Sequence, residues 1–486
     1  VPPRAPLRTR LADGLRGPLL GPVLTLVGGT AAGQLVSLAA RPVLTRLFTP
    51  EAFGVLGFYA AAVATLATAA AGRYEDAVPL PASRREADAL WGLALGLGAA
   101  VSAATVVVVP FRGPLAAALG RPEVAGLLAL VPLGVLGTVW GRATEVWLGR
   151  ADRFGAVSAS RVAHTAVTVP TQLGGGLLGG AAGALVGGHL AGRVAATAVL
   201  IARALRVGRP STGGWGALAR RYRRFPAFSM PSGFLNTLST QLPAFFLLAA
   251  FEPDVLGLYV LAFGTLAAPL HLVGTSVAQV FFQRAAEAHR DGTLAGLTET
   301  VFARLGALGL FPLAALAVAG PAAFAVVFGA EWRASGVYAA LLAPWLYFVF
   351  VSSPLSSLFD VLERQPAELA FNAVGVAARV VALWAGGRTG SPLWAVGLFG
   401  AVSAALWLGH AALMLRWSGV RLGAAARAVA RHAVVAAGPL AALAAVAAAT
   451  ESDAVVVAAL VATGLAWLGL TARFEPDLWG PAGGAS

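Results

Sequence analysis

The segments FTPEAFG (residues 48–54) and FEPDVLG (residues 251–257) lie 203 positions apart and read alike: Phe, any residue, Pro, an acid, any residue, an apolar residue, Gly. Each joins one apolar stretch to another that contains aromatic residues, as a tight turn between two helices does. Proline enters a first helical turn without losing a hydrogen bond, and an acid there meets the positive end of the helix dipole. The match pairs the first and second apolar stretches with the seventh and eighth. It predicts two six-helix lobes of the same orientation around a central pathway, a plan that recurs among transporters.

Composition extends this reading to the whole chain. Of 486 residues, 58% are hydrophobic and 12% charged, about half the charged share of a soluble domain. Apolar stretches of about 20 residues, the length that crosses a bilayer, recur along nearly all of it. They run over residues 19–43, 53–72, 89–110, 124–148, 154–180 and 181–205, then 232–251, 255–283, 301–328, 335–361, 366–387 and 392–417, with a final pair at 432–450 and 453–472. The fifth and sixth meet at a glycine-rich turn, residues 174–183. The expected fold is therefore an all-α polytopic membrane protein of about 14 transmembrane helices, with 12 to 14 as the range. Its expected divisions are a tail (1–18), a six-helix lobe (19–205), a basic linker (206–231), a second lobe (232–417), and two added helices with a tail (418–486). Connections averaging about a dozen residues hold no folded extramembrane domain, so function must reside among the helices.

Charge sets the orientation. The net charge of +13 comes from 35 basic residues, all of them arginine. Arginine should be enriched in cytoplasmic loops. With both termini inside, roughly 24 arginines fall on cytoplasmic segments and about 6 on external ones. The richest loop holds Arg203, Arg206, Arg209, Arg220, Arg221, Arg223 and Arg224, a topology anchor for anionic headgroups, and residues 215–225 can form a short interfacial helix. Arginines dispersed at the ends of apolar segments do not make a nucleic-acid face. Arg4, Arg8, Arg10 and Arg16 precede no compact apolar stretch with a cleavage site, so no cleaved signal peptide is expected. Absence of cysteine excludes disulfides, thiolate metal sites and cysteine nucleophiles.

Polar residues inside the apolar stretches name the candidate site. Thr30, Gln34, Ser37, Arg41 and Thr45 recur every three or four residues on one face of the first stretch, and Ser229, Ser232, Asn236 and Thr240 do nearly the same in the seventh. Serine and threonine alone read as interhelical glue. Arg41 changes the balance, because a guanidinium at depth needs water, a carboxylate or an anionic ligand. Among the other interior cations, Arg142 and Glu145 lie three apart and read as neutralising each other, while Arg193 and Arg304 read as snorkelling. Arg73, beside Tyr74, Glu75 and Asp76, fits an ion cluster or a ligand contact; Arg379, two turns after Asn372, fits a cavity lining. The substrate-binding candidates are Arg41, Arg73, Arg379, Gln34, Ser37, Asn236 and Gln279. Apart from Glu145, hardly a carboxylate falls near the middle of a stretch, so the interior is cationic and an anionic cargo is the better match. His164, His189, His271 and His410 lack a visible carboxylate relay and read as packing residues. No paired-acid, phosphate-loop, nucleophile-elbow or zinc motif occurs, so neither enzyme nor cofactor is expected.

Four segments carry a family resemblance: RPVLTRLFTPEAFGVLGFYAA (41–61), GRYEDAVPLP (72–81), RRYRRFPAFSMPSGFLNTLSTQLP (220–243) and GLYVLAFGTLAAPLHLVGTSVAQVFFQRAAE (257–287). In order and spacing, from about residue 20 to 290, the chain resembles the oligosaccharide and polysaccharide flippases of the multidrug/oligosaccharidyl-lipid/polysaccharide exporter superfamily. The resemblance implies translocation of a polyprenyl-diphosphate-linked sugar repeat across the bacterial cytoplasmic membrane for surface polysaccharide assembly, by alternating access. It implies lipid-linked oligosaccharide and membrane lipids as partners, with a polysaccharide polymerase and other assembly proteins beside them, and no nucleic acid. It transfers no fixed set of contact residues. A drug or metabolite exporter of the same superfamily is the alternative; a membrane glycan polymerase would show a substantial external loop. The topology is testable because the chain lacks cysteine. Single cysteines at Ser211 and Asp453, probed in intact cells with an impermeant maleimide, should label at Asp453 and not at Ser211.

Overall fold

The computed structural model describes residues 20–107, 109–118 and 125–474. The N-terminal arginines Arg4, Arg8, Arg10 and Arg16 and the side chain of Thr30 lie outside the described residues. Among the described residues fourteen helices run for twenty residues or more. They are α1 (Leu20–Leu47), α2 (Pro50–Ala70), α3 (Arg84–Val106), α4 (Val131–Arg150), α5 (Phe154–Leu177), α6 (Ala182–Ala204), α7 (Met230–Ala250), α8 (Pro253–Arg290), α9 (Leu294–Phe328), α10 (Arg333–Ser352), α11 (Gln365–Gly387), α12 (Pro392–Trp417), α13 (Leu422–Ala449) and α14 (Asp453–Phe474). No strand occurs among these residues, as the absence of water to satisfy an open sheet edge requires in lipid.

The helices overlap the fourteen apolar stretches with shifted ends: α13 begins at Leu422, before the expected 432, α4 at Val131, after the expected 124, and α10 ends at Ser352, before the expected 361. Helix α8 continues past Gln283 to Arg290 and α9 begins at Leu294, because Arg284, Glu287 and Glu299 form helix well without being apolar. Among the described residues eleven helical segments are long and apolar enough to cross a membrane; α4 and α5 have the length but carry Arg142, Glu145 and Arg161.

Two compact units are formed. Unit 1 contains described residues up to Phe48 and Val55–Thr237; unit 2 contains Thr49–Gly54 and residues from Leu238 onward. In unit 1, α3 and α4 interlock through two tryptophans. The Trp91 and Trp147 rings stack with centroids 4.6 Å apart. Each indole donates to the facing helix, Trp91 to Thr144 Oγ1 at 3.1 Å and Trp147 to Asp88 Oδ1 at 2.8 Å. Such a stack contributes about 0.5–1.5 kcal/mol beyond the area it buries. Helices α5 and α6 meet along small residues: a Cβ on Gly188 would lie 2.6 Å from Gln172 Cγ, and Gln172 Nε2 donates to Leu185 O at 2.9 Å. Helix α1 packs on α5, where a Cβ on Gly33 would reach Thr165 Oγ1 at 3.1 Å.

In unit 2, α9 and α10 cross at Gly320 and Gly336, where a Cβ on either residue would strike the carbonyl oxygen of the other, at 2.7 and 2.2 Å. Helices α13 and α14 pack on α9, with Phe311 stacked on Trp467 at 5.0 Å and Arg333 paired with Asp453. The two heptapeptides that announced the repeat touch each other inside this unit. A Cβ on Gly54 would lie 2.0 Å from Pro253 O, and one on Gly257 would lie 1.7 Å from Pro50 O. The turn residues of one motif thus seat on the glycine of the other.

A second repeated feature escaped the sequence reading. Between α4 and α5, Asp152 adopts φ 55°, and between α10 and α11, Glu363 adopts φ 54°. In both turns an arginine follows, and its N–H closes back on the preceding helix: Arg153 to Leu148 O at 2.9 Å, Arg364 to Phe359 O at 2.7 Å. The local geometry is the left-handed helix ending usually given to glycine, here occupied twice by an acid.

The glycine crossing makes a direct prediction. Gly257→Ala should destabilise the protein by about 1–3 kcal/mol, because backbone must move to admit the methyl group. Gly409→Ala, where nothing lies within 4 Å, should be neutral or slightly stabilising. Thermal unfolding of the purified variants in detergent measures both.

Candidate functional site

The polar face of α1 is continuous. Gln34, Ser37 and Arg41 are half-buried and Thr45 is fully buried. Pro42 interrupts the α1 hydrogen-bond ladder, and its own carbonyl accepts from Thr45 Oγ1 at 3.2 Å and from Arg46 Nη1 at 2.5 Å. These bonds hold the end of the helix in register and leave Arg41 on the same face as Gln34 and Ser37.

The second arginine lies at a hub. After α2, Gly72 and Arg73 both take left-handed φ values, 58° and 60°, and turn the chain into a short 3-10 helix, Tyr74–Ala77. A left-handed arginine costs roughly 1–2 kcal/mol, and here ionic contacts surround it. Arg73 Nη1 donates to Asp76 Oδ2 at 3.1 Å. Arg142 Nη2 donates to Asp76 Oδ1 at 3.1 Å, and its Nε lies 3.4 Å from Glu75 Oε1. The Arg73 guanidinium also covers Gly233 of α7, whose Cβ, were there one, would lie 2.1 Å from Nη2. Asn236 is three residues farther along α7 and is exposed, so Arg73 sits one turn from it on a shared face. Tyr74 Oη donates to Ala219 O in the short helix Trp215–Arg221. That helix is docked rather than lying free: Trp215 packs over Gly96 of α3, and Leu218 is buried.

The local pairing of Arg142 with Glu145 is corrected by this geometry. Arg142 reaches instead to Glu75 and Asp76, while Glu145 Oε1 accepts from Arg161 Nη2 at 2.6 Å. Neighbours three apart on a helix share a face, but a side chain that long also reaches the next element, and two acids there outbid one.

Unit 2 places the remaining candidates differently. Gln279 is exposed on α8. Arg379 is 6% exposed, near the middle of α11, with Nε donating to Ser403 Oγ of α12 at 2.9 Å and Nη1 donating to Ser239 Oγ of α7. Its guanidinium carbon lies 5.7 Å from the Trp345 ring and 5.9 Å from Phe399. Thus Gln34, Ser37 and Arg41 share one helix of unit 1, Arg73 and the Asn236 face meet at α7, and Arg379 and Gln279 belong to unit 2. His410, read as a packing residue, is 2% exposed, and its two ring nitrogens lie 3.2 and 3.3 Å from the Ser352 and Ser356 hydroxyls.

Burial pushes the Glu75 carboxyl above the ordinary carboxylate range; Asp76 adds to the shift, and a backbone hydrogen bond, Arg142 and Arg73 oppose it. A carboxyl that holds its proton more tightly when folded stabilises the fold at low pH. That contribution is lost as pH rises through the raised value. Glu75→Gln should therefore flatten the decline in melting temperature that the wild type shows with rising pH, and the two proteins should differ least in acid. Unfolding followed from about pH 4 to pH 8 checks this.

Comparison with known proteins places these features. Residues 43–336 match the family model described as polysaccharide biosynthesis protein. No curated protein matches the sequence itself. Among solved structures, a lipid II flippase, MurJ, in an inward closed conformation aligns over 94% of this chain and 99% of its own, with TM-score 0.75 and 10% identity. An inward-facing multidrug resistance MATE transporter of the MOP superfamily aligns over 83% of this chain and 95% of its own, with TM-score 0.52 and 14% identity. A Pyrococcus furiosus transporter of that superfamily, described as having a binding pocket of reverse polarity, aligns over 83% and 94%, with TM-score 0.50 and 14% identity. The chain belongs to the polysaccharide biosynthesis protein family, and it has the multi-pass helical fold of the flippase and transporter structures it resembles.

Proposed function

We propose that the protein translocates polyprenyl-diphosphate-linked oligosaccharide repeat units across the bacterial cytoplasmic membrane, for surface polysaccharide assembly, by alternating access through a cationic cavity. One observation carries the reading: a family match to polysaccharide biosynthesis falls on a chain whose fold, over 94% of its length, is that of a lipid flippase. No connection is long enough for a separate catalytic domain, so a role in polysaccharide biosynthesis has to be exercised by the helices themselves.

The chemistry of the candidate residues supports an anionic carrier. Arg41, with Gln34 and Ser37 on its face and the Asn236 face opposed to it, contacts the diphosphate in this reading, while hydroxyl and amide groups meet the sugars. A guanidinium donates two parallel hydrogen bonds to phosphate oxygens, which an ammonium cannot. Arg73, Arg379 and Gln279 are secondary candidates. The termini and the loop from Arg206 to Arg224 are cytoplasmic here, on the arginine asymmetry. The two six-helix lobes rock about the site, with α13 and α14 as an addition. Lipid-linked oligosaccharide and membrane lipids are the partners, with a polymerase and other assembly proteins downstream.

A drug or metabolite exporter is the second reading, favoured by the likeness to MATE transporters. Interior charge separates the two. Cationic drugs call for acidic side chains at depth, and the polarity of a binding pocket is the feature on which a different function was argued for the Pyrococcus transporter.

The test is outer-leaflet appearance of the lipid-linked oligosaccharide in cells producing normal amounts of each variant. Loss of the charge-assisted fork in Arg41→Ala should cut transport by about tenfold or more, and Arg41→Lys should restore part of it. Undiminished transport by Arg41→Ala removes Arg41 from the site. Undiminished transport in cells lacking the protein overturns the function.

A further inference from the structure

We propose that unit 2 contains a binding site for a small monovalent anion of the halide class, formed by the Arg379 guanidinium, the Tyr259 hydroxyl and the Trp345 indole N–H. The site is distinct from the polar face of α1 and does not depend on the lipid-carrier reading.

Arg379 is nearly enclosed, and among the described residues its hydrogen bonds go to Ser239 and Ser403. Hydroxyl oxygens accept its N–H groups but bring no negative charge. Among the described residues no carboxylate pairs with this guanidinium, in contrast to Arg73, Arg142, Arg161 and Arg333. Ionisable groups within a membrane helix normally pair with one another, and a buried cation left uncompensated is the most costly arrangement available to the fold.

Two further donors belong to the column of aromatic rings that starts at this guanidinium. The Phe399 and Trp345 rings flank the guanidinium and meet edge to face at 5.2 Å. Phe263 stacks on Trp345 at 5.5 Å, and Tyr259 stacks on Phe263 at 5.9 Å. The Tyr259 and Trp345 side chains are 4% and 3% exposed. Their polar atoms, Tyr259 Oη and Trp345 Nε1, are buried and have no hydrogen-bond partner among the described residues. A buried donor without an acceptor calls for a bound water or ion. A water molecule satisfies donors but leaves the charge, whereas an anion answers both at once.

Ligand class follows from the walls. Aromatic edges carry partial positive charge and tolerate an anion; the phenol and the indole each offer one isolated donor, and the Arg379 fork is already engaged through Nε and Nη1 by Ser403 and Ser239. One fixed positive charge balances one negative charge. A spherical, weakly hydrated monovalent ion fits that set; a diphosphate needs more cations and more donors than these residues supply.

The experiment uses the full chain purified in detergent. Thermal unfolding is followed in sodium chloride, sodium bromide and sodium gluconate at constant ionic strength, with radioactive chloride binding measured by equilibrium dialysis. Chloride and bromide should raise the unfolding midpoint with saturation, gluconate should not, and dialysis should find a single halide per chain. Arg379→Gln, which keeps hydrogen-bonding capacity toward the serines, should abolish saturable halide binding. Tyr259→Phe should weaken it by about threefold to tenfold, the worth of one hydrogen bond. Where Arg379→Gln does not fold, Tyr259→Phe and Trp345→Phe carry the test. Identical midpoints in all three salts, or halide binding unaltered in the Tyr259 and Trp345 variants, overturn the proposal.

Discussion

Backbone meets backbone where Pro50–Gly54 and Pro253–Gly257 cross, and the packing of unit 2 around those turns depends on two missing side chains. In lipid, helices gain nothing from hiding apolar surface, because the solvent is as apolar as they are; association must come from close approach. Glycine supplies it by removing the Cβ that would hold the chains apart. The same device appears at Gly320 and Gly336 in unit 2 and along Gly188 and Gly192 in unit 1. Gly54 and Gly257 differ from the rest because each meets a carbonyl from the first turn of the other's helix, so the two copies of one motif recognise each other. Two stretches of like sequence thus form a pair of complementary surfaces.

Arginine faces the opposite difficulty. It cannot lose its charge at depth, and the fold answers in two ways. At the end of α2 a compact set of two arginines and two acids is neutral as a whole, with Arg142 bridging Glu75 and Asp76. In α11, serine hydroxyls and aromatic rings take the place of acids around Arg379. The first arrangement is an ion cluster between helices and the second a solitary charge within one. They are expected to respond differently to substitution, since removing one member of a neutral set strands a side chain of opposite charge, whereas removing Arg379 strands no carboxylate among the described residues.

Much of this was legible in the sequence, for definite reasons. Apolar length gives helices in a membrane chain almost without ambiguity, so the fourteen stretches reappear as α1 to α14. The FTPEAFG and FEPDVLG pair pointed to duplication because proline and acid have positional meaning at a helix start. Period alone placed Gln34, Ser37 and Arg41 on one face. Partners across space were less legible. Arg142 was paired by sequence distance with Glu145, yet it reaches Glu75 and Asp76 on another element. The left-handed acids Asp152 and Glu363 gave no signal, because an aspartate or glutamate before arginine is ordinary in any loop. Tyr259 and Trp345 carry no mark in the sequence, because an aromatic residue in an apolar stretch is ordinary, and it is the lack of an acceptor among the described residues that sets them apart.

Helices α8 and α9 have 38 and 35 residues, roughly 57 and 53 Å of helix at 1.5 Å per residue. A hydrocarbon core of about 30 Å does not contain them. Even at a tilt of about 40°, the upper end of what transmembrane helices adopt, α8 would extend some 44 Å along the bilayer normal. Part of this antiparallel pair therefore stands clear of the hydrocarbon core as a helical post, tipped by His289, Arg290 and Asp291. A protein with only short connections has, in that post, a rigid handle of its own. It is a natural epitope for an antibody fragment and a place to fuse a reporter without disturbing the buried helices.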